Sequence, residues 1–202
     1  MTAIEAIKSG DLEALKAVLA ADASAVDERD ENGVPAAMLA LYFRQQACAD
    51  ALLDAGTAVD LPLACALGLT EEVVRFVDAD PGLLSQRTSD GWTPLHLAAF
   101  FGQLAAAGFL LSRGADPLAR STNKMANLPI HAAAATRQAA IVEMLLDAGT
   151  PANATQHGGY TALHSAAQNG DQASMNVLLR HGGDMNLASD DGKTPAQLLP
   201  GV

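Results

Sequence analysis

The chain has 202 residues, half of them apolar, with 12 Lys and Arg against 23 Asp and Glu and a formal net charge of −11. That length and apolar fraction suffice for a large core, whereas the acidity excludes the basic footprint that nucleic acid or an anionic membrane surface requires. Cys48 and Cys65 are too few for a disulfide framework and read as small buried hydrophobes of a protein in the reducing cytoplasm.

The first residues alternate acids with apolar positions and carry no secretion signal, and no apolar stretch is long enough to span a membrane. Over residues 4–20, Ile4, Ile7, Leu12, Leu15, Val18 and Leu19 recur at helical spacing, interrupted at Ser9-Gly10, which predicts two short helices around a tight turn. Asp30-Glu31-Asn32-Gly33 is a turn signal. Helices are expected over 35–43 and 47–53, the second closing at Gly56. The next segment is short: a helix from 63 to 67, Gly68, and a helix from 70 to 77 that Thr70 and Glu71-Glu72 start, stopped by Pro81.

From Asp90 the chain reads D-G-W-T-P-L-H-L-A, with Thr93 as a helix cap and Pro94 in the first turn. Its histidine recurs: His131 follows His96 by 35 residues, and His164 follows His131 by 33. Gly114, Gly149 and Gly182 each stand 18 residues beyond one of these histidines, preceded by the doublets Leu110-Leu111, Leu145-Leu146 and Leu178-Leu179. The second of these units has Leu128 in place of Thr and Arg137 in place of Gly102, so its cap and turn are weaker; the third recovers Thr161, His164 and Gly170. Residues 190–199 start one more unit that stops after a single helix, with Lys193 and Gln197 giving the end a polar face.

A period near 33 with T-P-L-H-x-A resembles the ankyrin repeat family, over nearly the whole chain and most clearly from 88 to 195. The resemblance implies an all-α, ankyrin-type helix-pair solenoid with β-hairpin or turn fingers, forming one domain over residues 1–202. The repeats fall at about 1–27, 28–60, 61–87, 88–120, 121–155 and 156–188, with a C-terminal cap at 189–202. It also implies that His96, His131 and His164, with Thr93 and Thr161, are scaffold, each imidazole bonding the Thr hydroxyl of its own turn and backbone in the neighbouring finger. Side chains that share a metal must lie within about 2.1 Å of it, and translation from repeat to repeat keeps these histidines apart. No metal and no cofactor is therefore expected.

No nucleophile, base or phosphate-binding loop stands out, so catalytic residues are expected to be none; His157 near Ser165 is the sole motive for an enzyme reading. In the family, partners are contacted by the residues flanking the finger glycine and by the end of the first helix. Carried over by alignment to Thr93, those positions are Ser89, Asp90, Trp92, Phe100 and Phe101; Glu31, Asn32, Val34, Tyr42 and Phe43; and His157, Gly158, Tyr160, Gln168 and Asn169. Six of the eight aromatics fall on this set, leaving Phe76 and Phe109 for core packing. Aromatics anchor interfaces through large area at low entropy cost. Two readings stay open: one apolar patch on the concave side that binds a protein or peptide, or rings that pack between repeats. A partner with a basic patch fits the acidity, the expected state is a monomer, and self-association through the same patch is the alternative function.

Overall fold

The computed structural model describes residues 1–200. Its regular structure is helical: α1 (Ala3–Ser9), α2 (Leu12–Ala21), α3 (Ala36–Tyr42), α4 (Gln46–Asp54), α5 (Leu61–Leu67), α6 (Thr70–Ala79), α7 (Pro94–Phe100), α8 (Leu104–Ser112), α9 (Pro129–Ala135), α10 (Ala139–Asp147), α11 (Ala162–Gln168) and α12 (Gln172–Arg180). The helices alternate between seven residues and nine or ten, one short and one long per repeat. Among the described residues the fingers contain no strand, only isolated bridges between Arg29 and Pro35 and between Thr155 and Thr161.

The chain divides into two compact units. The first comprises Met1–Leu63 with Thr88–Asp90, and the second Ala64–Arg87 with the chain from Gly91 on. In the first unit Thr2 and Glu5 close a capping box at the start of α1, and Gly10 turns the chain in the left-handed region before α2. Asp30 Oδ1 accepts from the amides of Asn32 at 2.9 Å and Val34 at 2.8 Å, which fixes the finger that enters α3. The unit's core is Ile7, Leu15 and Leu52 with the alanines of α3, and Cys48 is buried beside them as a free thiol.

In the second unit the short helices α7, α9 and α11 are lined by Ala98-Ala99, Ala132-Ala133-Ala134 and Ala166-Ala167, all essentially inaccessible. A methyl at each contact lets neighbouring helices approach closely, and Leu97, Leu110, Leu145, Leu163 and Leu178 fill the space behind. Gly68 and Gly102 mark a second requirement. Both have left-handed φ, +74° and +77°, and a Cβ on either would meet the side chain of the next repeat, Gln103 at 2.2 Å or Gln138 at 2.7 Å. Gln103 uses that space to donate from Nε2 to the carbonyl of Ala66 at 3.0 Å. The glycine is set by crowding as well as by backbone handedness.

The helix α6 starts at Thr70, with Glu71 and Glu72 in its first turn, as the start signal suggests; two other expectations from the sequence change. The helix before it starts at Leu61, two residues earlier than the pattern suggests. The last unit forms a single 3₁₀ turn, Pro195–Leu198, in place of a helix, because after Leu198 the backbone becomes extended at Leu199 and a proline follows. Positions 201 and 202 of the expected cap lie outside the described residues. Finally, Phe76 and Phe109 are half-buried, each beneath a guanidinium, Arg75 or Arg113, 5.4 Å from the ring centre. A neighbouring cation thus covers part of each ring, and most of the residue stays out of water.

Candidate functional site

The three spaced histidines have one geometry. The Thr93 amide points at His96 Nδ1 (3.3 Å), and the Thr93 hydroxyl lies 2.7 Å from the same nitrogen. His96 Nε2 faces the carbonyl of Asn127 in the next finger at 3.0 Å. An amide donor on one side and a carbonyl acceptor on the other assign the proton to Nε2, with Nδ1 accepting. His164 repeats this with Thr161 Oγ1 at 2.8 Å and the carbonyl of Lys193 at 3.1 Å. His131 keeps the two backbone bonds, from the Leu128 amide at 3.1 Å and to the carbonyl of Ala154 at 3.0 Å. Its expected hydroxyl partner does not exist, because position 128 is leucine. Burial is the main reason its pKa falls to about 4, with the charge of Arg120 acting in the same direction. Each imidazole thus ties a helix start to the following finger. Among the described residues no three His, Cys, Asp or Glu side chains converge to hold a metal ion.

The expected contact residues separate into two groups. Tyr42, in the first unit, is half-buried and donates from its hydroxyl to Asp90 Oδ2 at 2.6 Å; Thr88 donates to the other carboxylate oxygen. Burial, and then the Asp90 charge, push the Tyr42 phenol far above its ordinary pKa. In the second unit Tyr160 makes the matching bond, donating to Asp191 at 3.1 Å. Hydrogen bonds from Ser189, ahead of those from Lys193 and Tyr160, hold the Asp191 carboxyl at about 2. Both tyrosines therefore hold an aspartate of a later finger in place. Phe43, Ser89, His157 and Gln168 are exposed; Asp90 and Asn169 are half-buried, and Asn169 Nδ2 donates to the carbonyl of Ala135 at 3.1 Å.

Trp92, Phe100 and Phe101 form the other group. Trp92 lies against His96 with ring centres 5.9 Å apart, and meets Phe100 edge-on at 5.1 Å and 65°. Phe100 meets Phe101 at 5.1 Å and 84°. All three rings are partly exposed, while Thr93 and His96 between them are buried. Edge-to-face contacts order the cluster. Met125, 48% exposed in the finger before α9, is a candidate that the sequence reading missed. It occupies the position of Asp90 in its own repeat, so aligning that finger as the others were aligned finds it.

Comparisons with known proteins agree with this geometry. A family description of three successive ankyrin repeats matches residues 4–121 and again 118–189. Mouse NF-kappa-B inhibitor alpha is 35% identical over 124 residues, 58% of this chain and 39% of the relative. The human inhibitor is 34% identical over 58% of this chain and 38% of its own length. A human cation channel subunit, transient receptor potential subfamily A member 1, is 33% identical over 56% of this chain but 10% of its own length. The chain thus matches less than two fifths of these relatives. Among the described residues no helix is long and apolar enough to cross a membrane. Short helices paired with long ones, fingers tied by histidine and a repeat match over almost the whole length have one explanation: the chain belongs to the ankyrin repeat family and is built as a protein–protein interaction module.

Proposed function

We propose that the chain is a non-catalytic module that binds a folded protein or an exposed peptide, with Trp92, Phe100 and Phe101 as its anchors. The observation that carries this reading is the ordered, partly exposed ring cluster beside the buried Thr93 and His96. Large rigid rings bury much area at little entropy cost, and such residues carry most of the energy of an interface. His157, Tyr160, Gln168 and Asn169 would supply the polar rim in the same unit. The chain's acidity favours a partner with a basic patch and raises its association rate. The cytoplasm suits it, since two cysteines are too few for a disulfide framework.

The target after which the inhibitor relatives are named is not carried over to this chain. An inhibitor and a channel subunit each match more than half of this chain, so a likeness at this level identifies scaffold and not target. Affinity purification with mass spectrometry, wild type beside the Trp92→Ala/Phe100→Ala/Phe101→Ala variant, tests the proposal. Loss of captured partners at an unchanged melting temperature supports it, and equal capture by the two proteins overturns it. A dimer that appears with rising concentration in sedimentation, and dissolves in the triple variant, would establish self-association instead.

A further inference from the structure

The first unit carries an apolar groove that its repeats do not fill. A cavity of about 430 Å³ opens between α2, the residues before α1 and the 3₁₀ turn Ala23–Asp27. Its floor is Ala14, Ala17, Val18 and Ala21, the i, i+3, i+4 and i+7 positions of α2, completed by Met1 and Ala25. Of the floor residues Ala17 and Ala21 are exposed and Ala14 and Val18 half-buried, while Leu15 is the residue of α2 that is fully buried. Met1 is 76% exposed. An apolar stripe of this kind ordinarily faces another element.

The charge around the groove restricts what that element can be. The unit has 12 acidic residues and 4 Lys or Arg, a net of −8 out of the chain's −11. Lys8 is paired with Glu31 at 2.8 Å and Lys16 with Glu13 at 3.0 Å. Asp22 and Glu28 stand on the rim of the groove itself. A second copy of the unit would bring the same charge to the contact, which like-charge repulsion disfavours. A helix with one apolar face flanked by Lys and Arg satisfies both features: its apolar anchors enter between α2 and the 3₁₀ turn, and its cations meet the rim. The small floor residues permit axes to approach to about 8 Å, the close end of helix packing.

We propose that this groove of the first unit docks a basic amphipathic helix of a partner protein. The groove belongs to the first unit and the aromatic anchor to the second, and the proposal does not rest on that anchor.

The test uses the full chain and a labelled amphipathic helix of Leu and Lys, roughly 18 residues long, read by fluorescence anisotropy. Saturable binding is expected, with a Kd raised about tenfold or more by Ala17→Lys/Ala21→Lys, which fills and recharges the exposed floor. The Trp92→Ala/Phe100→Ala/Phe101→Ala variant should bind the peptide as wild type does, so failure of the aromatic reading and failure of this one are distinguishable. Equal binding by a scrambled peptide of the same composition would reduce the effect to charge attraction and overturn the proposal. Unchanged affinity in the double variant overturns it too, as does a wild-type dimer that this variant dissolves, since a second copy would then be the occupant. If circular dichroism shows that the double variant has lost helix, Ala21→Lys alone replaces it and is read in the same way.

Discussion

The fourth and fifth repeats perform the same structural task with different residues. In the fourth, Thr93 caps α7 from its side chain, His96 bonds that threonine, and Gly102 takes the left-handed turn. In the fifth, Leu128 caps nothing and Arg137 is forced to φ +64°, where a Cβ is strained. Both repeats nevertheless start a seven-residue helix and send an imidazole Nε2–H to the next finger at 3.0 Å. Threonine and glycine are therefore refinements, whereas the histidine is the part that links one repeat to the next. Arg137 also gains something in exchange for its strain, since its guanidinium donates to the Asn169 carbonyl at 2.6 Å.

The histidines offer the most severe test of that view. His96→Ala and His131→Ala each leave a buried amide and a buried carbonyl without their partner, and each should cost about 3–4 kcal/mol in urea unfolding. A much smaller loss for His131→Ala would mean that the fifth repeat no longer depends on its histidine. Acid should expose the fifth repeat next. The folded-state pKa of His131 is about 4, below the ordinary 6.5, so its contribution is fully present above about pH 6.5 and fades as pH falls towards 4. The pKa gap corresponds to at most about 3 kcal/mol. The stability gap between wild type and His131→Gln should therefore shrink from pH 7 to pH 4.5, and a gap independent of pH would contradict the burial argument.

Exchanging the turn and cap residues isolates the smaller differences. Gly102→Arg places a Cβ 2.7 Å from the Gln138 side chain in a left-handed turn, and should destabilise by about 2 kcal/mol. Thr93→Ala removes a helix cap and a histidine partner, and should cost about 1 kcal/mol, whereas Leu128→Ala changes packing and no cap. Arg137→Gly relieves strain but gives up the bond to Asn169, so a gain of only about 0.5 kcal/mol is expected, read as a small rise in Tm.

Much of this was legible in residues alone. Helix pairs, turns and the capping role of Thr93 follow from local rules of spacing, capping and backbone handedness, which need no knowledge of distant contacts. The same local rules started α6 at Thr70, ahead of Glu71 and Glu72, where the helix begins. They assigned Phe76 and Phe109 to packing, but a periodic pattern does not reveal the guanidinium that covers part of each ring. For the contact surface, alignment by position put Tyr42 and Tyr160 in the same class as Trp92. Both tyrosines hold a carboxylate, Asp90 or Asp191, and partners 48 and 31 residues away are invisible to local spacing.

Residue order alone thus specifies the repeat, its helix pairs and the family, because those rest on interactions within one 33-residue unit. Which carboxylates the two tyrosines hold, and how the rings around Trp92 meet one another, emerges only in the folded chain. So does the need for glycine on grounds of space as well as φ, and so does the apolar groove that α2 leaves in an acidic unit. Each of these depends on how elements pack against one another in space, which local spacing does not encode.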